Sequence, residues 1–212
     1  MQSINAIIVC LLLTVISISI FFSLQTIYAQ TPNPNSTQTN NTTNQIQWKV
    51  YTNNKFGFSI EYPQSWIVSE KQSRFEDRVE LEIESPDISD PNSGAFNFVD
   101  ASPTPISNIK VLTNIAIEDT LGIFDVDFSF RLIDGANVTK YEIYGEKAGA
   151  FTYVLDSKEY DDSIPVVAVE AVNTIHNGKA YIFQFMSATE NFDNPTLTDI
   201  RQHMFNSIKW LN

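Results

Sequence analysis

Cysteine is almost absent from this sequence, and its one occurrence, Cys10, lies inside an apolar run near the N-terminus. The rest of the chain can therefore form no disulfide and has no thiolate for catalysis. Lipidation of Cys10 is not expected either, because the bulky residues Ile8 and Val9 precede it. The folded part must therefore be stabilised by packing.

Histidine and catalytic motifs are also scarce, since only His176 and His203 are present. The sequence contains no H-E-x-x-H, no C-x-x-C and no G-x-S-x-G, and its seven glycines form no phosphate-binding loop. We interpret both histidines as surface or boundary residues without a catalytic partner. The sequence thus predicts no catalytic residue, no zinc site and no nucleotide cofactor, and we expect the protein not to be an enzyme.

Basic residues are outnumbered, with 13 Lys and Arg against 25 Asp and Glu and a formal net charge of −12. Nucleic acid is therefore a poor partner, because phosphate binding draws its affinity from clustered basic side chains. The same charge disfavours binding to anionic lipid headgroups, so membrane contact is expected only through the N-terminus. A hydrophobic fraction of 43% with 18% charged residues is typical of a globular domain.

An apolar segment extends from Ile4 to Leu24 and is long enough to cross a bilayer. Ala29 follows at a position suited to signal-peptidase cleavage, which favours a cleaved leader over residues 1–29. A retained anchor stays open, because the segment has no preceding Lys or Arg and Ile27 is bulky for a cleavage site. We expect an extracytoplasmic protein, either secreted or anchored to the outer face of the cytoplasmic membrane.

Residues 30–46 form the next segment, which is rich in Asn, Thr and Pro and has almost nothing to bury. This composition predicts a disordered linker that leads into a single domain over residues 47–212. The chain also contains four N-x-S/T triplets that could accept a glycan in an exported protein. Their asparagines are Asn35, Asn40, Asn41 and Asn137.

Alternating apolar residues predict strands in the first half of the domain. Phe56, Phe58, Ile60 and Tyr62 share one face of an extended segment, and the turn at residues 63–65 leads into a second strand, as a hairpin or a tight β-corner. Further strands are predicted over residues 79–84, where apolar residues alternate with glutamates, and over residues 96–99. A helix is predicted at residues 113–124, with Thr113 or Asn114 as its cap.

The second half carries two sharper signals. Asn177-Gly178 favours a type I′ turn between two β-rich runs, and the resulting register pairs Val172 with Phe183 and Thr174 with Tyr181. Extended segments are also predicted at residues 141–144 and 150–155, separated by Gly145 and Gly149. Asn194 and Pro195 then begin a helix predicted to end the chain, whose apolar stripe comprises Leu197, Ile200, Met204, Ile208 and Leu211.

The order of these elements predicts an α+β fold with a central antiparallel sheet flanked by helices. The segment FGFSIEYPQSW at residues 56–66 resembles the opening of PsbP-like domains, which reads aromatic-Gly-Phe, Tyr-Pro and then Trp. Residues 177–181 and 205–208 resemble the last strands and final helix of that family, so the resemblance covers residues 48–212. It implies the α/β/α sandwich of the photosystem II protein PsbP and the Ran-binding Mog proteins, and a non-enzymatic accessory or binding role.

We therefore expect a non-catalytic accessory protein that acts with a membrane-associated protein partner; no oligomeric state is predicted. Two alternatives remain open. One is a hydrolase that uses Asp and Glu side chains in a pocket. The other is a calcium-binding surface protein whose acidic loop supplies Asp156, Glu159, Asp161 and Asp162, with Asp87, Asp90 and Asn92 as a weaker second set. Several aromatic residues could line a ligand groove, but their positions on strands and helices predict that most of them lie in the core. These residues are Trp48, Trp66, Phe183, Phe185 and Trp210.

Overall fold

The structure is a computed structural model that describes residues 46–72, 79–87, 90–124, 129–156 and 166–211. These residues form ten strands and two helices. The strands are β1 (Trp48–Asn53), β2 (Phe58–Pro63), β3 (Ile67–Gln72), β4 (Val79–Glu84), β5 (Ala95–Pro103), β6 (Ser129–Ile143), β7 (Glu146–Asp156), β8 (Val167–His176), β9 (Lys179–Ala188) and β10 (Lys209–Trp210). The helices are α1 (Ile109–Phe124) and α2 (Pro195–Asn206).

The strands build two antiparallel sheets. The larger sheet has seven strands in the order β3-β4-β5-β9-β8-β7-β6, and the smaller has three in the order β1-β2-β10. The predicted hairpin is confirmed as β8–β9, with Val172 opposite Phe183 and Thr174 opposite Tyr181. Asn177 and Gly178 have φ values of 49° and 72°, which is the left-handed backbone that a type I′ turn requires.

The segment at residues 63–66 is a corner between the two sheets. β2 pairs with β1 and β10, whereas β3 pairs with β4 in the larger sheet. The Trp66 backbone N–H donates to the Pro63 carbonyl over 2.9 Å and closes the turn. Of the two alternatives that the sequence left open, the β-corner is therefore confirmed and the hairpin is not.

The main core lies between the two sheets and α2. Its fully buried aromatic residues include Phe58 from the small sheet, Phe96 and Phe183 from the large sheet and Phe205 from α2. Phe58 meets Phe183 edge to face, with ring centroids 5.4 Å apart. Such aromatic pairs add about 0.5–1.5 kcal/mol each to the hydrophobic gain, so this core fixes the small sheet and α2 on the large sheet.

A second core lies on the opposite face of the large sheet, where α1 packs against strands β6, β7 and β8. Ala116 of α1 contributes to a buried cluster with Phe151 and Val169. Gly149 allows this close approach, because a Cβ at that position would stand 1.8 Å from the Thr113 hydroxyl oxygen. Gly149 therefore lies inside β7 and does not separate two strands as the sequence predicted.

The predicted fold class is wrong in its architecture. The described chain is mostly β, and the main core is covered by a second antiparallel sheet beside α2, so it is not a central sheet flanked by helices. The prediction failed at one edge of the large sheet and at the C-terminal end of the chain. β6 and β7 are far longer than the short strands that the sequence predicted. β10 forms from residues that the sequence predicted to be part of the last helix.

The prediction that the chain ends in a helix is also wrong. The N-cap is confirmed, since the Asn194 side chain accepts bonds from the backbone of Thr196 and Leu197, but α2 stops at Asn206. Lys209 and Trp210 then pair with Ser59 and Phe58 of β2. This turn buries Trp210, which a continued helix would have placed elsewhere.

The predicted cap of α1, Thr113 or Asn114, lies five or six residues beyond the observed cap, which is about one and a half helical turns. Asn108 caps the helix, because its side-chain oxygen accepts from the backbone N–H groups of Lys110 and Val111. Thr113 lies inside the helix and its hydroxyl donates to the Ile109 carbonyl. The sequence predicted Thr113 as a cap because it is polar, but its side chain lies against Gly149 of the large sheet.

Candidate binding pocket

A pocket of about 730 Å³ opens where the corner, the β4–β5 connection and the start of α2 meet. Volumes of about 300–1,000 Å³ are usual for small-molecule and cofactor sites. The pocket has an apolar part that includes Trp66 and Ile200, and polar groups that include Gln64 and Thr196. Four separate chain segments therefore contribute to it, the fourth being Ile46-Gln47 before β1.

The corner supplies a fixed apolar wall. Gln64 donates its backbone N–H to the Gln47 carbonyl over 2.7 Å, which ties the corner to the segment before β1. Trp66 is only 7% exposed and its ring lies 6.1 Å from that of Phe185 in the main core. The indole therefore belongs to both the core and the pocket, and the core holds it in place.

The connection after β4 supplies the charged side of the pocket. The Asp90 carboxylate accepts bonds from the backbone N–H and the side-chain amide of Asn92, at 2.8 and 3.0 Å. The Asp87 carbonyl accepts from the Asp90 backbone N–H and the Ser85 hydroxyl, both at 3.3 Å. Both acids are exposed, and none of the described lining residues is Lys or Arg. The pocket is thus suited to a cationic group attached to an apolar stem.

Helix α2 holds the third side of the pocket and is fastened by a buried ion pair. The Arg201 Nε lies 2.9 Å from one oxygen of the Glu170 carboxylate, and Lys140 lies against the other oxygen of the same carboxylate. Arg201 also donates to the Phe192 carbonyl over 3.0 Å. The buried environment and the Glu170 charge together raise the pKa of the nearby Tyr141 hydroxyl well above its ordinary range. Because Glu170 is fully buried, this arrangement fixes the position of α2 on the sheet.

The first histidine cluster surrounds His176 at the end of β8. Its Nδ1 lies 2.9 Å from a Glu146 oxygen, and its Nε2 lies 2.9 Å from the Asn177 side-chain amide. The ring stacks on the Trp210 indole with centroids 4.3 Å apart, and that indole donates to the other Glu146 oxygen over 3.0 Å. Both ring nitrogens and one ring face are therefore occupied within the fold.

The second histidine cluster repeats this pattern at α2. His203 Nε2 lies 2.8 Å from a Glu61 oxygen, and the imidazole stacks on the Trp48 indole with centroids 3.7 Å apart. Sequence reasoning gave neither histidine a carboxylate partner, and that was wrong, because Glu61 and Glu146 lie 142 and 30 positions away. No serine or other nucleophile joins either cluster in the described hydrogen bonds. The clusters tie the small sheet to the rest of the fold.

The predicted calcium residues are only partly visible. Asp156 ends β7, whereas Glu159, Asp161 and Asp162 lie outside the described residues. Within the described ranges no group of three His, Cys, Asp or Glu side chains could hold a metal ion. The weaker set, Asp87, Asp90 and Asn92, lines the pocket. Calcium binding at the acidic loop stays a prediction.

The glycan acceptors are likewise divided. Asn35, Asn40 and Asn41 fall outside the described residues, and Asn137 is exposed on β6. The prediction of aromatic core positions is confirmed for Phe183, Phe185 and Trp210, which are buried, while Trp48 is half-buried against His203. The pocket itself escaped prediction, because its lining comes from segments with no common motif.

The two sheets and the open pocket define a β-rich domain with a candidate binding site. A PsbP-like protein family model matches residues 7–159, more than half of the chain, so the chain belongs to the PsbP-like family. Solved structures share the fold, among them a cyanobacterial PsbP and a yeast Ran-binding protein. Cyanobacterial PsbP (CyanoP) from Synechocystis sp. PCC 6803 is 14% identical with a TM-score of 0.56, and the match covers 84% of this chain and 98% of that one.

The second structure is the Ran-binding protein Mog1p from Saccharomyces cerevisiae, at 10% identity and a TM-score of 0.55. That match covers 79% of this chain and 97% of that one. No curated protein sequence matches this chain. In the part of the chain that the structure describes, neither helix has the length and apolar content to span a bilayer. The chain is therefore a PsbP-like protein that shares the fold of these two structures, and neither finding defines a partner.

Proposed function

We propose that this protein is an extracytoplasmic, non-catalytic accessory protein that acts with a membrane-associated protein partner, and that its pocket holds a basic segment of that partner. The observation that carries the proposal is the pocket itself. It joins an apolar wall at Trp66 and Ile200 to the exposed acids Asp87 and Asp90.

The charge of the pocket supports a basic occupant. The whole protein carries a net charge of −12, which attracts a basic surface at long range. Charge complementarity of this kind raises association rates and selects the partner more than it raises affinity. A Lys or Arg side chain also has an apolar stem that can lie along Trp66 while its charged end reaches Asp87 or Asp90.

The location rests on the N-terminal sequence. The apolar segment at residues 4–24 and the polar tract at residues 31–45 are a leader and a spacer in our interpretation. A spacer of fifteen residues of flexible chain has a root-mean-square span of about 20 Å. If the leader is retained, the pocket would therefore stay close to the membrane surface and to a partner there.

Neither alternative function gains support from the described residues. Burial, followed by the charge of Glu118, raises the pKa of Asp119, a change that a catalytic acid could use. Asp119 lies on α1, however, and does not line the pocket. The hydrolase and the calcium-binding protein therefore remain predictions from sequence.

Site-specific cross-linking tests the proposal. In a Cys10→Ser background the chain has no other cysteine, so Gln64→Cys introduces a unique thiol at the exposed edge of the pocket. A benzophenone maleimide attached there would be photolysed on native membranes, and the products would be identified by mass spectrometry. We expect one membrane protein as the dominant product, cross-linked through a basic segment.

Glu142→Cys is the matched control, because Glu142 is an exposed residue on β6 at the far edge of the large sheet. The control is expected to give little of the same product. Equal yields from both positions, or no membrane-protein product from Gln64→Cys, would contradict the proposed pocket function.

A further inference from the structure

We infer that Asn137 is an N-glycosylation site that caps the free edge of the large sheet. This inference rests on the proposed extracytoplasmic location, because the glycosyl donor and its transferase are encountered outside the cytoplasm. The acceptor is the side-chain amide nitrogen of Asn137 in the triplet Asn137-Val138-Thr139.

The geometry of the triplet leaves the acceptor nitrogen free. The Asn137 Oδ1 accepts from the Thr139 backbone N–H over 3.0 Å and from the Thr139 hydroxyl over 2.9 Å. Both Thr139 groups are donors, so the oxygen of the amide must face Thr139 and the nitrogen must face away. Among the described residues the Asn137 Nδ2 has no hydrogen-bond partner, and the side chain is exposed.

The strand around Asn137 is irregular and has a neighbour on only one side. β6 is the last strand of the large sheet, so its outer edge pairs with no described strand. Its register with β7 shifts between Asp134 and Asn137 and again between Asn137 and Tyr141. Four positions of β6 separate Asn137 from Tyr141, whereas only two separate their partners Ala150 and Ala148. The segment therefore bulges away from β7 and is accessible to a transferase.

The transfer is a substitution at the anomeric carbon of a lipid-phosphate-linked saccharide. The Asn137 Nδ2 forms the new bond to that carbon while the bond from the carbon to the phosphate oxygen breaks. The electron pair of the broken bond leaves with the lipid phosphate, and the transferase removes one amide proton. No oxidant or reductant is needed.

The position has a structural consequence. An open edge presents unpaired N–H and C=O groups and invites pairing with another chain. A glycan at Asn137 would cover that edge by its bulk. β3, which begins beside the pocket, lies six strand spacings from β6, or about 29 Å at about 4.8 Å per spacing. The glycan would therefore leave the pocket open.

The test is glycopeptide mass spectrometry on the full chain purified from its native host. Wild type is compared with Thr139→Ala, which destroys the triplet, and with Thr139→Ser, which keeps it. We expect a saccharide on the peptide that contains Asn137 in wild type and Thr139→Ser, and its complete loss in Thr139→Ala. Circular dichroism melting of Thr139→Ala should show that this exposed change leaves the domain folded.

The linker triplets make the two proposals distinguishable. Saccharide on Asn35, Asn40 or Asn41 with an unmodified Asn137 would overturn this inference and leave the extracytoplasmic location standing. An Asn137 unmodified along with all three linker sites would also overturn it, and the cross-linking at Gln64 would then decide the proposed function by itself.

Discussion

The two histidine clusters and the pocket differ in what each lacks. The clusters at His176 and His203 hold groups that enzymes use, an imidazole beside a carboxylate, but indole rings cover them and their hydrogen bonds are satisfied within the fold. The pocket has room for a ligand and a charged side, and no histidine is among its described lining residues. The histidine clusters therefore hold parts of the fold together, whereas the pocket is open to a ligand.

Each of the three tryptophans belongs to one of these regions. Trp48 stacks on His203, Trp210 stacks on His176, and Trp66 lines the pocket. The small sheet supplies the first two rings, and the corner that follows it supplies the third. The same three-stranded sheet thus packs against both histidine clusters and borders the pocket.

The largest effect should come from removing the support that the two regions share. Helix α2 carries Ile200 of the pocket and His203 of a cluster, and Arg201 between them pairs with buried Glu170. Glu170→Ala leaves Arg201 buried without its partner, which should lower the free energy of unfolding by about 3–5 kcal/mol. Urea unfolding measures the loss.

The matched control for that variant is Glu142→Ala, which removes an exposed glutamate from β6. We expect a change within about 0.5 kcal/mol for this surface position. A loss of less than about 1 kcal/mol for Glu170→Ala would show that the ion pair does not hold α2.

The next largest effect is expected on peptide binding when the acidic residues of the pocket are neutralised. The double change Asp87→Asn and Asp90→Asn removes the charge of the pocket but keeps the side-chain oxygen that accepts from Asn92. For the probe peptide N-acetyl-Lys-Leu-Lys amide, calorimetry should show affinity about threefold to tenfold weaker, as expected for exposed charge pairs. The difference should shrink at 1 M salt. Unchanged affinity at low salt would argue against an electrostatic role for these acids.

A smaller effect, on stability, is expected from a change in the His176 cluster. His176→Gln removes the stack on Trp210, and we expect a loss of about 1 kcal/mol in the free energy of unfolding. Binding of the same probe peptide should not change, because His176 does not line the pocket. Weaker binding in this variant at unchanged stability would place the cluster in the binding site.

The smallest effect concerns the face of the large sheet opposite both regions. Burial raises the pKa of the Tyr153 hydroxyl above the ordinary value of about 10. The unfolded chain therefore ionises first, and stability present below about pH 10 falls as the pH rises toward the folded-state value. Tyr153→Phe should reduce this alkaline loss, as measured by urea unfolding between pH 8 and 11.

Tyr144→Phe is the control for the loss of a phenolic hydroxyl, because Tyr144 is 57% exposed. Comparing the slope with pH separates ionisation from the pH-independent cost of removing the hydroxyl that accepts from Gln184. Parallel slopes for wild type and Tyr153→Phe would contradict the assignment.

Local signals in the sequence predicted local structure well. Asn177-Gly178 fixed both the turn and the register of β8–β9, and Asn194-Pro195 marked the start of α2, because these residues act through their own backbone. Features built from distant segments were not predictable. β10 forms only because β2 is there to pair with, and the bond from His203 to Glu61 spans 142 positions. The pocket belongs to this second kind.

The most direct test of the pocket as the binding site is the indole N–H region of a nitrogen-15 NMR spectrum of the purified protein. The three tryptophans should give three signals, one for each region. Titration with N-acetyl-Lys-Leu-Lys amide, or later with the cross-linked segment of the partner, should move the Trp66 signal and leave Trp48 and Trp210 in place. Movement of the Trp48 or Trp210 signal with Trp66 unchanged would contradict the account and place binding at a histidine cluster.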